Sequence, residues 1–346
     1  LPMSVLSKNP TKMRGLAFVE LSGDMGTLGE LLGKLGFSAT RKDPSRAVTV
    51  YEQGDAAFVV TSEPGTYSAS FREAHGPSVA SLGFLVEDAK LAFEVAVARG
   101  ARPYDGKYAL SFEAPAIYGV GGSLVYFVDG TSRRGAIVDA TCSAKLEPKG
   151  SDVGLFAIDH LTNNVEKGEL GRWAKFYEEV FGFTQVRSFD IVGAKTGLYS
   201  FALRSPCGTF CIPINEDKGD KGQIAEYLRE YKGAGIQHIA LTSRDLLATL
   251  DRMANQVPML DIDATYYENC FTRVPGVRED PKRIEAHNVL VDGDAEGYLL
   301  QIFTKNCIGP VFCELIQREN HLSFGEGNFG ALFRSIERDQ ERRGVI

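Results

Sequence analysis

The chain has 346 residues, a formal net charge of −7, 44% hydrophobic and 24% charged residues. This is the composition of a folded globular protein, long enough for about two domains with real cores. The acidic balance excludes a general nucleic-acid binder, and no apolar run approaches the roughly 20 residues of a membrane span.

The opening stretch, LPMSVLSKNPTKMRG, lacks a sustained apolar core and is not expected to act as a secretory signal. From Gly15 the segment GLAFVELSGDMGTLGELLGKLGFSATR reads as strand, turn, amphipathic helix ending at Gly36-Phe37, and strand. From Val79, VASLGFLVEDAKLAFEVAVARGA reads as strand, acidic turn and helix. The polar segment CSAKLEPKGSDVG then marks a boundary near residues 140–153. The pattern restarts at Gly154 with GLFAIDHLTNNVEKGELGRWAKFYEEVFGFTQVR. There Leu170, Trp173, Phe176, Tyr177 and Val180 keep helical spacing, and Gly182 stands where a left-handed cap is wanted. IQHIALTSRDLLATLDRMANQV, from Ile236, repeats the second unit. The two halves therefore read as diverged copies, each made of two βαβββ modules. A charged loop is expected over 268–288. A C-terminal helix is expected over 325–343, with Phe329, Leu332, Phe333 and Ile336 on one face and ERDQERR on the other.

Six cysteines (Cys142, Cys207, Cys211, Cys270, Cys307 and Cys313) show no CxxC spacing, which predicts reduced thiols of a cytoplasmic protein rather than a disulfide framework. Three polar residues stand inside apolar strand-like runs of the second half: His160 in AIDHLT, His238 in GIQHIAL and Glu314 in FCELIQR. Burying such groups is costly without a partner. A histidine in a strand is more often a satisfied core residue than a ligand; a buried glutamate there is harder to explain without a partner. Intervals of 78 and 76 residues mean that any convergence comes from the fold. Two imidazoles and one carboxylate would leave three coordination positions open, the arrangement of non-haem Fe(II) oxygenases. The first copy has Glu20 and Ser81 at the two histidine positions, which suggests that one half binds metal and the other is scaffold. His75, His287 and His321 read as surface or capping residues.

Paired modules of this kind resemble the vicinal-oxygen-chelate superfamily. The segments IDHLTNNV, PINE, GAGIQHIAL, TYYEN, GYLLQIFTK, FCELIQR, FGEGNFGALF and IERDQERRG resemble the bacterial 4-hydroxyphenylpyruvate dioxygenases over nearly all of residues 154–344. The first half matches more weakly, through AFVEL, REAHGPSV and APAIYGVGG. The resemblance implies an α+β, glyoxalase-like fold: a scaffold domain without metal ligands over 1–150, a catalytic domain over 151–346, and a C-terminal gating helix whose FGEGN start could hinge. It implies Fe(II) on His160, His238 and Glu314. It implies a polar pocket lining of Ser200, Asn215, Gln223, Gln237 and Gln301, with Asn328 in the C-terminal segment and an aromatic wall of Phe303, Phe312, Phe324 and Phe329. Read from the residues alone, these phenylalanines are also compatible with core packing, and Gln223 with an exposed helix position. Cys313, where relatives often carry a bulkier apolar residue, should point away from Glu314 by strand alternation.

The implied reaction converts 4-hydroxyphenylpyruvate and O2 to homogentisate and CO2 in tyrosine breakdown. The substrate carries its own 2-oxo acid, so the pocket's main task is to aim the ring. A homo-oligomer, dimer or tetramer, is expected. A hydroxymandelate synthase is the nearest alternative. Its type has an aliphatic residue at the Phe329 position and an apolar one at Asn215, so both residues favour the dioxygenase. A non-catalytic binding protein would usually lack the complete triad. An extradiol dioxygenase would share the triad but not the QIF and FGEGNF segments.

Overall fold

The protein is described from a computed structural model that covers residues 8–141, 143–193 and 196–344. The opening residues 1–7 and Cys142, on which two of the sequence expectations bear, lie outside the described residues.

The first half runs β1 (Met13–Ser22), α1 (Met25–Lys34), β2 (Ser38–Lys42), β3 (Val48–Gln53), β4 (Ala56–Thr61), α2 (Tyr67–His75), β5 (Ser78–Val86), α3 (Ala89–Ala98), β6 (Ala116–Tyr118), β7 (Leu124–Val128), α4 (Arg133–Thr141) and β8 (Ala144–Lys145). The second runs β9 (Leu155–Val165), α5 (Leu170–Phe176), β10 (Thr184–Val192), β11 (Gly197–Arg204), β12 (Cys211–Asp217), α6 (Gln223–Tyr231), β13 (Gly235–Ser243), α7 (Leu246–Met253), α8 (Tyr267–Arg273), α9 (Pro281–Ala286), β14 (Leu290–Gly293), β15 (Tyr298–Phe303), β16 (Phe312–Glu319) and α10 (Phe329–Arg343). Among the described residues no helix is long and apolar enough to cross a membrane.

The repeat is visible in the strand order. The first sheet runs β6-β7-β5-β1-β4-β3-β2-β8 and the second β10-β11-β12-β9-β13-β16-β15-β14. Read from opposite edges, seven strands match one for one. In each sheet two modules join along an antiparallel central pair, β1 with β5 and β9 with β13. The acidic turns cap the following helices: Asp88 accepts from the Leu91 amide at 2.8 Å and Asp245 from the Ala248 amide at 2.9 Å. Gly182 takes the left-handed conformation at φ 81°, after a widened turn, Tyr177–Phe181, that buries Tyr177, Val180 and Phe181.

Three expectations are corrected. The stretch 268–288 is not a loop but carries most of α8 and all of α9. Asp280 caps α9 with Pro281 in its first turn, and Cys270 and Ile284 are buried, so a charged sequence hides two short amphipathic helices. In the second module of the first half only β6 and β7 join β5 after α3 among the described residues, while β8 pairs instead with β2 at the far edge. Pro103 retains a single bridge to Ile117, since proline cannot donate to a ladder. On α10, Glu337 and Gln340 are buried rather than facing solvent.

The two concave faces have diverged. In the first sheet Phe18, Phe112 and Tyr126 fill the hollow, with ring centroids 4.7 and 4.9 Å apart. Glu20 is satisfied there by Ser81 at 2.5 Å and Thr61 at 2.7 Å. The halves are packed together by Phe84 against Phe181 and Phe210 and by a close backbone approach at Gly121. Gly121 has φ 64°, and a Cβ there would lie 1.9 Å from the Ala234 carbonyl oxygen. Gly121→Ala is therefore expected to lose at least about 1–3 kcal/mol through its backbone conformation, before the clash is counted. Thermal unfolding checks this, with Gly171→Ala as control: its Cβ meets nothing and the change is expected to be neutral or stabilising.

Candidate metal centre

Strand register brings the three ligand candidates together. Ala240 on β13 lies opposite His160 on β9 and opposite Glu314 on β16. Successive partners share a face, so His160, Ala240 and Glu314 form a row across the sheet, with His238 two residues along. Ala240 is fully buried between the two outer side chains, and only a small residue leaves them room to converge. His160 Nε2 lies 3.0 Å and His238 Nε2 3.6 Å from Glu314 Oε2, and the two Nε2 atoms are 3.3 Å apart. These three donors can hold one metal ion.

Each of the three is also held from behind. Asp159 Oδ2 accepts from His160 Nδ1 at 2.7 Å, Gln237 Oε1 from His238 Nδ1 at 3.0 Å, and Glu314 Oε1 from Gln301 Nε2 at 2.9 Å. Such partners fix tautomer and orientation and leave Nε2, Nε2 and Oε2 for a cation. A regular strand would point residues 159 and 237 away from their neighbours. Register shifts occur at both places, between the partners of Ile158 and His160 and between Ile236 and His238. Asp159 and Gln237 are the extra residues of two β-bulges, which turn their side chains back toward the histidines.

The electrostatics match this arrangement. Burial alone would depress His160, but the carboxylates of Glu314 and Asp159 outweigh it and push it up to about 9. Burial, and then the charge on His160, hold His238 well below the usual imidazole value. Burial opposes the charge on Asp159, yet hydrogen bonds from Arg318 and His160 hold its carboxyl well below the usual range. A carboxylate-rich pair of imidazoles with open space on one side suits a divalent cation, which would replace the shared proton.

That open space is a cavity beside the three donor atoms. Ser200, Asn215, Gln223, Gln237 and Gln301 all line it, as do Phe303, Phe312, Phe324, Asn328 and Phe329. Gln223, at the start of α6, is half-buried and accepts from Gln237 at 3.3 Å. The sequence reading missed Thr162, Phe189, Ile191, Leu198, Pro213, Leu332 and Phe333, which also line it. The first five stand on the strands that line the cavity, and alternation was the available signal: Thr162, Leu198 and Pro213 are each two positions from a named residue on the same strand. Phe189 and Ile191 lie opposite Ser200 and Leu198 on the neighbouring strand. Cys313, adjacent to Glu314, lies in the opposite, main core.

Helix α10 covers the cavity. Phe333 packs with Leu198 and Ile224, and Ala331 with Phe303 and Phe312. Polar latches hold the helix: Glu337 accepts from Thr196 Oγ1 at 2.9 Å, Gln340 donates to Glu226 at 2.7 Å, and Arg343 pairs with Glu226. At its base Asn328 Nδ2 donates to Gln301 Oε1 at 2.8 Å. Gly325 has φ 78°, and a Cβ there would lie 1.8 Å from Gln301 Oε1, so close approach to the site as well as backbone freedom demands glycine.

A paired-module fold with a two-histidine, one-carboxylate centre under a closing helix defines a metal-dependent enzyme of the glyoxalase and dioxygenase class. The comparisons agree. The family model described as Hydroxyphenylpyruvate dioxygenase, HPPD, N-terminal matches residues 7–142, and that of the Glyoxalase/Bleomycin resistance protein/Dioxygenase superfamily matches 157–285. The chain is 49% identical over 343 residues to Protein MelA of Shewanella colwelliana, covering 98% of this chain and 99% of that one. It is 43% identical over 345 residues to a 4-hydroxyphenylpyruvate dioxygenase of Legionella pneumophila, covering 98% of both. Among solved structures, a mutant of 4-hydroxymandelate synthase from Streptomyces coelicolor superimposes with a TM-score of 0.81 at 27% identity, covering 95% of this chain and 99% of that one. The chain belongs to the 4-hydroxyphenylpyruvate dioxygenase family, whose members are Fe(II)-dependent dioxygenases.

Proposed function

We propose that this chain converts 4-hydroxyphenylpyruvate and O2 to homogentisate and CO2, with Fe(II) held by His160, His238 and Glu314. The observation that carries the reading is the centre itself: three donor atoms within 4.8 Å of one another, each held from behind, at the floor of an aromatic and amide-lined cavity. Two neutral ligands and one carboxylate suit Fe(II) and leave positions for a bidentate 2-oxo acid and for O2. When bound, Fe(II) would chelate the 2-oxo acid and activate O2, whose electrons come from the substrate as it is decarboxylated and hydroxylated.

The protein's own share is positioning. Ser200, Asn215, Gln223, Gln237 and Gln301 offer hydroxyl and amide groups that bond a carboxylate, a keto oxygen or a phenol without adding charge. Phe303, Phe312, Phe324 and Phe329 exclude water and confine the ring, and confinement decides which carbon is attacked. Residues 151–346 carry the chemistry and residues 1–150 the scaffold, whose hollow is filled by Phe18, Phe112 and Tyr126. A cytoplasmic homo-oligomer, dimer or tetramer, belongs to the same proposal.

The test is anaerobic loading with Fe(II), addition of 4-hydroxyphenylpyruvate and O2, and separation of products. Homogentisate is expected, with one O2 consumed per product. Hydroxymandelate would keep the substrate and the ligands but overturn the product assignment. Absence of O2 uptake despite bound iron would overturn the reaction.

A further inference from the structure

Arg318, whose side chain is 15% exposed, spans from the metal centre to the base of the covering helix. Its Nε and Nη2 each donate to Asp159, both at 2.8 Å, in a fork-on-carboxylate pair. Asp159 Oδ2 is the same atom that accepts from His160 Nδ1. The third nitrogen, Nη1, donates to the backbone carbonyls of His321 at 3.0 Å and Ser323 at 2.5 Å. Those carbonyls belong to the short link from β16 to Phe324 and Gly325, where the chain turns over the cavity. The guanidinium also lies 5.9 Å from the Phe324 ring centroid, and Phe324 meets His160 edge-on at 5.5 Å. No substrate-lining role accounts for this residue, since Arg318 is not part of the cavity wall.

We infer that Arg318 is a positioning residue that couples the metal ligand His160 to closure of α10. The inference rests on the proposed metal centre. A cation on His160 Nε2 strengthens the Nδ1–H bond to Asp159 and fixes the carboxylate, because the two ring nitrogens communicate. The fixed carboxylate holds one edge of the guanidinium fork, and the rigid fork then presents Nη1 to residues 321 and 323 in one geometry. Metal occupancy therefore favours the closed link. By reciprocity, closure raises metal affinity by the same factor. The Asp159 bulge is what makes the connection possible, because a regular strand would aim this side chain away from His160.

The test uses Co(II) as probe, with affinity read by spectroscopic titration and closure by hydrogen exchange in residues 321–343. In the parent protein, Co(II) is expected to bind once and to slow exchange in that segment. Arg318→Lys keeps a positive charge beside Asp159 but loses the fork that reaches both carbonyls. It is expected to lose Co(II) affinity by no more than the factor by which Co(II) slows exchange in the parent, while losing most of the Co(II)-dependent protection. Asp159→Asn with Arg318→Met removes the buried pair together, so neither charge is stranded. It is expected to lose about ten- to a hundredfold in Co(II) affinity as well as the protection. Arg318→Lys with undiminished Co(II)-dependent protection would overturn the coupling, whether or not the double variant folds. Failure of the parent to bind Co(II) at all would instead overturn the metal centre on which the inference stands.

Discussion

Glu314→Gln is expected to abolish turnover while leaving the protein folded. The substitution keeps size and leaves an amide oxygen facing Gln301, so the contact at 2.9 Å survives in kind. What is lost is the single negative ligand of the centre. Loss of a partner behind a ligand typically costs ten- to a hundredfold in metal affinity, so loss of the charged ligand itself should exceed about a hundredfold. The metal-free fold should persist at some cost. Glu314 is 2% exposed and its carboxylate pairs with His160 at 3.0 Å, so the substitution removes one partner of a buried pair, while Asp159 still holds the imidazole. The expected pattern is therefore specific: unchanged circular dichroism, an apo melting temperature at or somewhat below the parent's, no stoichiometric Fe(II), and O2 uptake at background. His160→Ala and His238→Ala should share the catalytic outcome, although His160→Ala also takes one hydrogen-bond partner from Asp159, leaving it Arg318 alone, and should lower stability. Near-parental turnover of Glu314→Gln at ordinary iron concentrations would reject the ligand assignment.

Much of this architecture could be read from the residues because its signals are local and doubled. Strand, turn and helix recur at Gly15 and Gly154 and, with an acidic turn, again at Val79 and Ile236, and the four helices that follow appear where the periodicity put them. The internal comparison of Glu20 with His160 and of Ser81 with His238 separated the filled hollow from the open one. The parts that escaped depend on long-range geometry. No local pattern announces that Asp159 and Gln237 occupy bulges, because a bulge exists only relative to the partner strand. The roles of Glu337 and Gln340 were equally hidden. A polar helix face normally meets solvent, but here it meets Thr196 and Glu226, far away in sequence. Residues 268–288 were misread because charge dominates their composition, while the burial that makes them helical rests on Tyr267, Cys270 and Ile284. Cavity residues such as Phe189 and Pro213 could have been reached by alternation, once the strands were taken seriously as one curved surface.

The second large effect concerns product rather than rate. Asn215→Ile combined with Phe329→Ile is expected to shift the product from homogentisate toward hydroxymandelate. The two residues come from different walls of the cavity. Asn215 sits on β12 opposite Ser200, and its amide is held by Asn164 at 3.3 Å. Phe329 opens α10 and meets Phe189 edge-on, with centroids 5.2 Å apart. Isoleucine at 215 removes a hydrogen-bonding group that can anchor the polar end of the substrate ring, a loss of about 1–1.5 kcal/mol for an ordinary hydrogen bond. Isoleucine at 329 removes ring volume from the lid and frees the substrate to tilt. A tenfold change in partition between two carbons requires only about 1.4 kcal/mol. Two such changes can therefore move the ratio by about ten- to a hundredfold without touching the ligands. Because Phe329 is only partly buried, the double variant should remain folded and bind metal as the parent does. Its checkable signature is a changed homogentisate-to-hydroxymandelate ratio at near-parental Fe(II) affinity and substrate decarboxylation. A folded, metal-loaded double variant that makes homogentisate alone would show that aim is set elsewhere, with the edge-on contacts of Phe324 to His160 and Phe189 the next geometry to test. A variant that loses decarboxylation as well would show that these side chains hold the 2-oxo acid rather than the ring. Partition and decarboxylation measured on the same sample thus separate aiming from binding, because only the first leaves CO2 release intact.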